Sequence, residues 1–343
     1  MGAKNWKLFY LKDLFSVEKG KRLTVANRID GNIPFVTAGH ENSGISSFIG
    51  NEDLKIYENS ITIDMFAEAF FRNYSFCCDD NIHVLTPKED IDKYVSLFIV
   101  AVINSGNSNW DYGKQYRLKT FERHQIMLPV NGEENPDYEF MSNFMKEIEK
   151  QQISKYEDYL NNLKSSNLGG GGSLSNLDSV EWKEFFINDL FTISSGKRLT
   201  KANMETGDTP FIGATSVNNG ITNFVNNINE SLDSNVLGVN YNGSVVESFY
   251  HPYECLFSDD VKRFHLKDYP DNKYVLLFFK TIILKQKEKY MFGYKFNAER
   301  MKKQIIIVPV NDEGNPDYTF MEQYMINIEI ILLEKILKYI KNN

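Results

Sequence analysis

The sequence predicts an α+β protein built from two homologous, mixed α/β halves, each closed by a long helix. Three observations predict it. The chain has 343 residues, too many for one ordinary core and suited to two domains of roughly 100 to 200 residues. Placing Trp6 over Trp182, an offset of 176, lays "WKLFYLKDLFSVEKGKRLTVAN" over "WKEFFINDLFTISSGKRLTKAN" without a gap. Farther on the offset is 180, where "LPVNGEENPDYEFM" from Leu128 lies over "VPVNDEGNPDYTFM" from Val308 with ten of fourteen residues identical. The second copy has therefore gained four residues in its middle. The ends of the copies agree, while residues 50–125 and 226–305 diverge. One scaffold is expected to carry two different surfaces, and the period is too long for a solenoid.

The elements follow from local pattern. Runs such as "SITIDMF", "NIHVL" and "QIMLPV" in the first copy, and "VLGVNY" and "QIIIVPV" in the second, read as strands bounded by Gly, Asn and Asp turns. "YVSLFIVAVINS" and "YVLLFFKTIILKQKEKY" read as helices packed on the sheet. In the closing helices Asn135 and Asn315 suit the N-cap, Pro136 and Pro316 the first helical position, and Asp137 and Asp317 the positive end of the dipole. Spacings of three and four then make an apolar stripe of Met141, Met145, Ile148 and Tyr156, echoed by Met321, Met325, Ile328, Leu332 and Ile336. A helix from Glu139 to Lys164 is about 39 Å long, more than one small domain covers. "SSNLGGGGSLSN", Ser165 to Asn176, reads as a flexible tether. The expected division is a domain over 1–137, a helix over 138–164, the linker over 165–176, a domain over 177–317 and a helix over 318–343.

Composition narrows the function classes. A hydrophobic fraction of 42% with 24% charged residues fits folded domains rather than disorder. No run is apolar enough for a secretory leader or a membrane span, so the cytoplasm is the expected compartment. Cys77, Cys78 and Cys255 show no CxxC spacing, and no HExxH occurs, so reduced thiols and no metal site are expected. "NPDY" at Asn135 and Asn315 resembles the (N/D/S)PP(Y/F) motif of amino-methylating DNA methyltransferases. No glycine-rich turn for S-adenosylmethionine accompanies it, and helix capping accounts for the same residues. No acidic-x-Lys strand follows either Pro-Asp, and there is no Walker loop or GxSxG. No catalytic residue is expected.

The net charge of −8 argues against indiscriminate nucleic-acid binding, so any such function needs local basic strips. They occur, and they recur. "GKRLT" appears twice, presenting Lys21, Arg22 and Thr24, then Lys197, Arg198 and Thr200. "YGKQYRLKTFER" sets Lys114, Arg117, Lys119 and Arg123 against Glu122, with Gln115 and Tyr116 among them. "KQKEKYMFGYKFNAERMKK" carries seven cations, including Lys295, Arg300, Lys302 and Lys303, with Tyr294, Asn297 and Phe292 interleaved. Such mixtures suit phosphate contact combined with groove contact. Gln115, Asn240, Asn242 and Asn297 are of a type that reads adenine, Arg117 and Arg300 of a type that reads guanine.

These residues resemble the DNA-specificity subunits of type I restriction-modification systems and of the closely related type IIB ones. The resemblance rests on "WKLFYLKDLFSVEKGKRLT" and "WKEFFINDLFTISSGKRLT" at the starts of the halves, and on "PVNGEENPDYEFM" and "PVNDEGNPDYTFM" before the helices. It implies two target-recognition domains, each followed by a helix, the helices pairing antiparallel as a spacer in a pseudo-twofold arrangement. It implies a bipartite double-stranded DNA target, with one half read by each domain. It also implies DNA methyltransferase subunits as partners, with a fused or separate endonuclease, and S-adenosylmethionine and Mg²⁺ on those partners rather than on this chain. Lys21, Arg22, Lys197 and Arg198 would then grip phosphates, and the variable middles would read bases. The short helices and the tether favour a compact type IIB-like or short type I form. The competing class is a bivalent protein-interaction adaptor, distinguished by binding that is insensitive to salt.

Overall fold

Alternating apolar runs in the first copy become strands β1 (Trp6–Tyr10), β2 (Phe15–Lys19), β3 (Asp30–Val36), β4 (Ile45–Ile49), β5 (Ser60–Asp64), β6 (Ala69–Arg72), β7 (Cys77–Cys78), β8 (Ile82–Pro87) and β9 (Gln125–Pro129). The helices are α1 (Leu11–Leu14), α2 (Lys93–Ser105), α3 (Leu118–Phe121) and α4 (Tyr138–Ser166). The second copy repeats them as β10 (Glu181–Phe186), β11 (Phe191–Ser195), β12 (Thr206–Ile212), β13 (Ile221–Val225), β14 (Val236–Asn240), β15 (Ser248–His251), β16 (Leu256–Phe257), β17 (Val261–Leu266) and β18 (Ile305–Val310). Its helices are α5 (Ile187–Leu190), α6 (Lys273–Leu284), α7 (Ala298–Lys303) and α8 (Tyr318–Asn342). The structure is a computed structural model and describes residues 4–106, 110–166, 176–290 and 293–342; most of the expected tether, and Phe292, lie outside them.

The chain divides into two compact units between Ser154 and Lys155, inside α4 rather than at the tether. Each unit contains a four-stranded sheet (β2-β8-β5-β6 or β11-β17-β14-β15), a three-stranded sheet (β4-β3-β7 or β13-β12-β16) and a two-stranded ribbon (β1-β9 or β10-β18). α2 covers the larger sheet because its apolar positions fall on one face. Val95, Phe98, Ile99 and Ile103 are buried with Ile61, Ile63 and Leu85. Asp92 starts this helix, its Oδ1 accepting from the backbone N–H of Tyr94 (3.0 Å) and Val95 (2.9 Å), and Asn272 does the same for α6.

Strand register locates the length difference that sequence comparison left open. Ser60 pairs with Arg72 as Val236 pairs with His251, so the copies are in step there. The hairpins that follow enclose 64–68 between Ile63 and Ala69, but 240–247 between Val239 and Ser248. Three of the four added residues therefore sit in one β-hairpin.

The long helices depart from expectation in two ways. Their N-caps are Asp137 and Asp317, whose Oδ1 atoms accept from Phe140 and Phe320 N–H at 2.9 Å, not Asn135 and Asn315. Pro136 and Pro316 stand outside the helices, bridged to Val130 and Val310. The stripe also changes face. Met141 and Met321 are buried in their own cores, with Met145 and Met325 against them. Farther along, Leu160, Leu163, Ile326, Ile330 and Leu337 are buried, whereas Ile148, Tyr156, Leu332 and Ile336 are exposed. In α8 the buried Ile326, Ile330 and Leu337 lie roughly 140–180° around the helix from Met321, at about 100° per residue, and "MINIEIILLEKILKYI" offers apolar side chains on more than one face.

α4 has 29 residues, about 43 Å. Its last part, from Lys155, belongs to the second unit. There Glu157 pairs with Lys341 (2.5 Å) and Lys164 with Glu334 (2.6 Å), in opposite chain order along the two helices, and the Tyr159 hydroxyl donates to Glu329 (3.1 Å).

Candidate nucleic-acid interface

The repeated "GKRLT" has a structural half and an exposed half. At Gly20 the chain passes against the β7–β8 turn, with Gly20 N–H on Ile82 O (3.2 Å) and Lys21 N–H on Cys78 O (3.1 Å). A Cβ on Gly20 would lie 2.3 Å from Asp79 O, and one on Gly196 would lie 2.0 Å from Ser258 O, so neither position accepts a side chain. Leu23 and Leu199 pack into small apolar clusters. The carbonyls of Thr24 and Thr200 accept from Asn27 (3.0 Å) and Asn203 (2.9 Å) to close a short turn, and both threonines are exposed.

The charged pair between them splits the same way twice. Lys21 binds Asp53 (2.7 Å) and Lys197 binds Glu230 (2.5 Å), and each lysine lowers the pKa of its carboxylate partner. Among the described residues, Arg22 and Arg198 make neither a hydrogen bond nor an ion pair within the protein, and both are exposed. The arginines are thus the unengaged cations of the turn.

In the first unit Arg22 lines a cleft of about 840 Å³ together with Lys19, Met65, His83, Gln115, Arg117 and Lys119. The turn and the downstream strip, far apart in sequence, meet there. Arg117 donates to Gln115 Oε1 (2.5 Å), so guanidinium and amide are presented as one unit. Lys114 stands over the Trp110 ring at 4.9 Å. Lys119 also borders a second groove, beside Arg123. Tyr116 is a correction: it is 1% exposed, its hydroxyl lies 3.0 Å from His124 Nδ1, and it supports the cleft from below.

Two cleft residues carried no sequence signal. Lys19 and His83 are cross-strand partners in β2 and β8, a register that sequence does not display. His83 is 6% exposed and its Nδ1 has no partner among the described residues. Burial, then the charge of Lys19, holds its pKa below the ordinary value, so it is a neutral imidazole at pH 7. Asp79 and Asp80 also line the cleft. Asp79 accepts from Leu23 N–H (3.2 Å), and Asp80 lies 3.7 Å from Lys19.

The second unit builds its counterpart differently. Lys262 takes the place of His83, opposite Ser195, whose hydroxyl it contacts at 2.9 Å, and its Nζ lies 4.6 Å from the Tyr241 ring centre. Burial lowers its pKa. Tyr294 stacks on Tyr290, and the Arg300 guanidinium lies 3.8 Å from the Tyr294 ring centre while donating to Lys295 O (2.7 Å). Asn297 caps α7 by accepting from Arg300 N–H (3.0 Å). Lys302 lies 3.7 Å from Glu299, and Lys303 is exposed. Two of the candidate readers are engaged inside the domain: Asn240 is 1% exposed and bonded to Thr215 O and Ser244 O, and Asn242 donates to Asp260 (3.0 Å), whereas Asn297 stays exposed and Arg300 partly exposed.

The domain is thus built twice, with an exposed arginine on the same turn in each copy, and in the first copy that arginine borders a polar cleft. Comparison of the sequence with known proteins gives the family. The model of the type I restriction modification DNA specificity domain matches residues 3–157 and again 179–342. The specificity subunit of the type II restriction enzyme BgcI from Heyndrickxia coagulans is 40% identical over 330 residues, 94% of each chain. A type I restriction-modification S subunit from M. genitalium superposes with a TM-score of 0.49 at 14% identity, over 100% of this chain and 92% of that one. The HsdS subunit of Thermoanaerobacter tengcongensis gives 0.33 at 11% identity, over 98% and 91%. The chain belongs to the type I restriction-modification DNA specificity family and carries its domain in two copies. It is a specificity subunit, the non-catalytic DNA-recognition component of a restriction-modification system. No helix among the described residues is long and apolar enough to cross a membrane.

Proposed function

We propose that each domain reads one half of a split double-stranded target, with Arg22 and Arg198 anchoring on phosphates and the divergent walls around them reading bases. The doubling supports this reading: the same exposed arginine stands on the same turn twice, beside walls that differ. Phosphate contacts fix position and carry no sequence, whereas base-edge contacts carry it. Repetition therefore suits the first task and divergence the second. Lys21, Lys197, Thr24 and Thr200 flank the anchors, and Gln115, Arg117 and Lys119 are the first domain's readers and clamps. The chain directs DNA methyltransferase subunits, with a fused or separate endonuclease, and those partners hold S-adenosylmethionine and Mg²⁺. The two long helices act as the spacer.

Selection from randomised duplexes by the full chain with its methyltransferase partner is expected to return two specified parts separated by a fixed unspecified run. The affinity is expected to fall steeply with salt. A continuous motif, or binding indifferent to salt as an adaptor's would be, rejects the reading. Inserting one heptad after Ile148 adds about 10 Å of rise and is expected to lengthen the gap by about three base pairs at 3.4 Å each.

A further inference from the structure

The hairpin that holds the three added residues is closed by the same backbone bonds in both copies. Asp64 N–H donates to Glu68 O (3.0 Å) and Ala67 N–H to Asp64 O (3.0 Å). Asn240 N–H donates to Glu247 O (2.8 Å) and Val246 N–H to Asn240 O (2.9 Å). Ala67 and Val246 fill equivalent places, both fully buried, at φ +65° and +70°. A β-branched residue rarely adopts that region. Two unlike side chains held in the same strained conformation mark a closing geometry that the surrounding structure imposes.

A second constraint is shared in position and opposite in chemistry. Asp64, 4% exposed, accepts from Gly39 N–H (3.0 Å) and also from Phe66 and Glu68 N–H. Its equivalent Asn240 donates instead, to Thr215 O (3.0 Å) and Ser244 O (3.2 Å). Gly39 and Thr215 are themselves equivalent, at the offset of 176. The hairpin is thus tied to the loop after β3 or β12 at one fixed point, with donor and acceptor exchanged.

Between these fixed points the tips share nothing. The first is short and apolar: Met65 lines the cleft beside Arg22 and Arg117, its carbonyl accepts from Tyr116 N–H (2.8 Å), and Phe66 meets Tyr112 edge-on at 5.2 Å. The second is longer and polar, running Tyr241-Asn242-Gly243-Ser244 past the Lys262 ammonium.

We propose that this hairpin is the element that makes the two domains read different bases. The Met65–Phe66 tip selects through apolar contact of the kind a thymine methyl offers, and the polar Gly243–Ser244 tip, with Asn242 held behind it by Asp260, through hydrogen bonds to base edges. The inference rests on the reading that each domain binds one half-site. The length change and the reversed crosslink let one scaffold hold either tip without disturbing the anchoring turn.

The test replaces residues 64–68 with the sequence of 240–247 in the full chain and repeats the duplex selection beside the unaltered protein. The half-site read by the first domain is expected to change, and the other to stay as it was. The double variant Met65→Ala/Phe66→Ala keeps the chain length and both closing bonds, so it decides the matter if the graft does not fold. It is expected to reduce discrimination at one or more base pairs of that half-site at least tenfold, while affinity for unrelated DNA stays within twofold. A folded graft or double variant that selects the unaltered motif overturns the assignment of the hairpin alone. If the unaltered protein selects no two-part motif, the underlying reading falls, and the inference with it.

Discussion

Arg72 in the first domain and His251 in the second occupy the same place, each paired across a sheet edge with the first residue of the neighbouring strand. Arg72, 1% exposed, donates to Thr62 Oγ1 (3.0 Å), the Tyr74 hydroxyl (2.8 Å) and Ser43 O (2.7 Å). His251 is fully buried and sits 3.4 Å from the Tyr253 hydroxyl, which accepts from Asn219 (2.9 Å). Ser43 and Asn219 lie in equivalent turns whose residues have positive φ: Asn42, Ser43 and Gly44 in one, Asn218, Asn219 and Gly220 in the other. One domain props that turn with a buried cation, the other with an imidazole and a tyrosine. The scaffold preserves the support and lets its charge change.

The reverse exchange occurs two strands away in the same sheet. In the second domain His265 lies between Asp271 (2.7 Å) and Asp233 (3.0 Å), and Asp233 also pairs with Arg263 (2.9 Å). By strand register the first domain has Thr86 and Val84 where the second has His265 and Arg263, and Tyr57 where it has Asp233. Charge buried in one copy is absent from the other, so the two should fail under different conditions.

Removing the prop should have the largest effect. Arg72→Ala leaves three partners unbonded around a large cavity and is expected to destabilise the first domain by about 3–5 kcal/mol. His251→Ala is expected to cost the second domain about 2 kcal/mol. Urea unfolding followed by hydrogen exchange of peptides from each domain separates the two. Equal losses would mean that charge at this position does not matter to the packing.

Next in size is the pH response. The bond to Asp271, and then that to Asp233, raise the pKa of His265 to about 9 from 6.5. A raised histidine contributes stability that is complete below pH 6.5 and lost as pH climbs toward 9. Burial pushes His251 down to about 4, so its contribution is complete above pH 6.5 and lost as pH falls toward 4. The second domain is therefore expected to be most stable near pH 6.5, losing roughly 2 kcal/mol on the alkaline side after allowance for partial exposure. Thermal unfolding monitored by Trp182, with Trp6 and Trp110 replaced by phenylalanine, should show this. His265→Thr, which installs the first domain's residue, should flatten the alkaline limb.

The smallest effect is the most even. Arg22→Ala and Arg198→Ala are each expected to weaken cognate and non-cognate DNA binding alike, by about 1 kcal/mol, and to flatten the salt slope by about one unit. Loss confined to one base pair would show that the residue reads rather than anchors.

Where the copies agree, the sequence was sufficient: the repeat, the shared turn and the helices after "NPDY" are visible because equivalent burial requires similar residues. What escaped it depends on register and on the third dimension. His83 and Lys19 become neighbours only through strand pairing. Tyr116 lies among cations in sequence and beneath them in space. Asn135 and Asp137 are both competent caps, and the bridge at Pro136 settles the choice for Asp137. The added residues could not be placed, because the segment that holds them shares too little with its counterpart to align.

The division of α4 between the two compact units decides where the chain could be spliced to exchange one recognition domain for another. A crossover in the glycine tether would exchange the first recognition domain together with Leu160, Leu163, Glu157 and Lys164, which pack and pair within the second unit. The seam that respects folding lies a dozen residues upstream of the helix end, near Ser154. A crossover there delivers a new first domain onto an unaltered second one. Chains spliced at the tether inherit a mismatched helix end, and their progeny should carry compensating changes along 326–341.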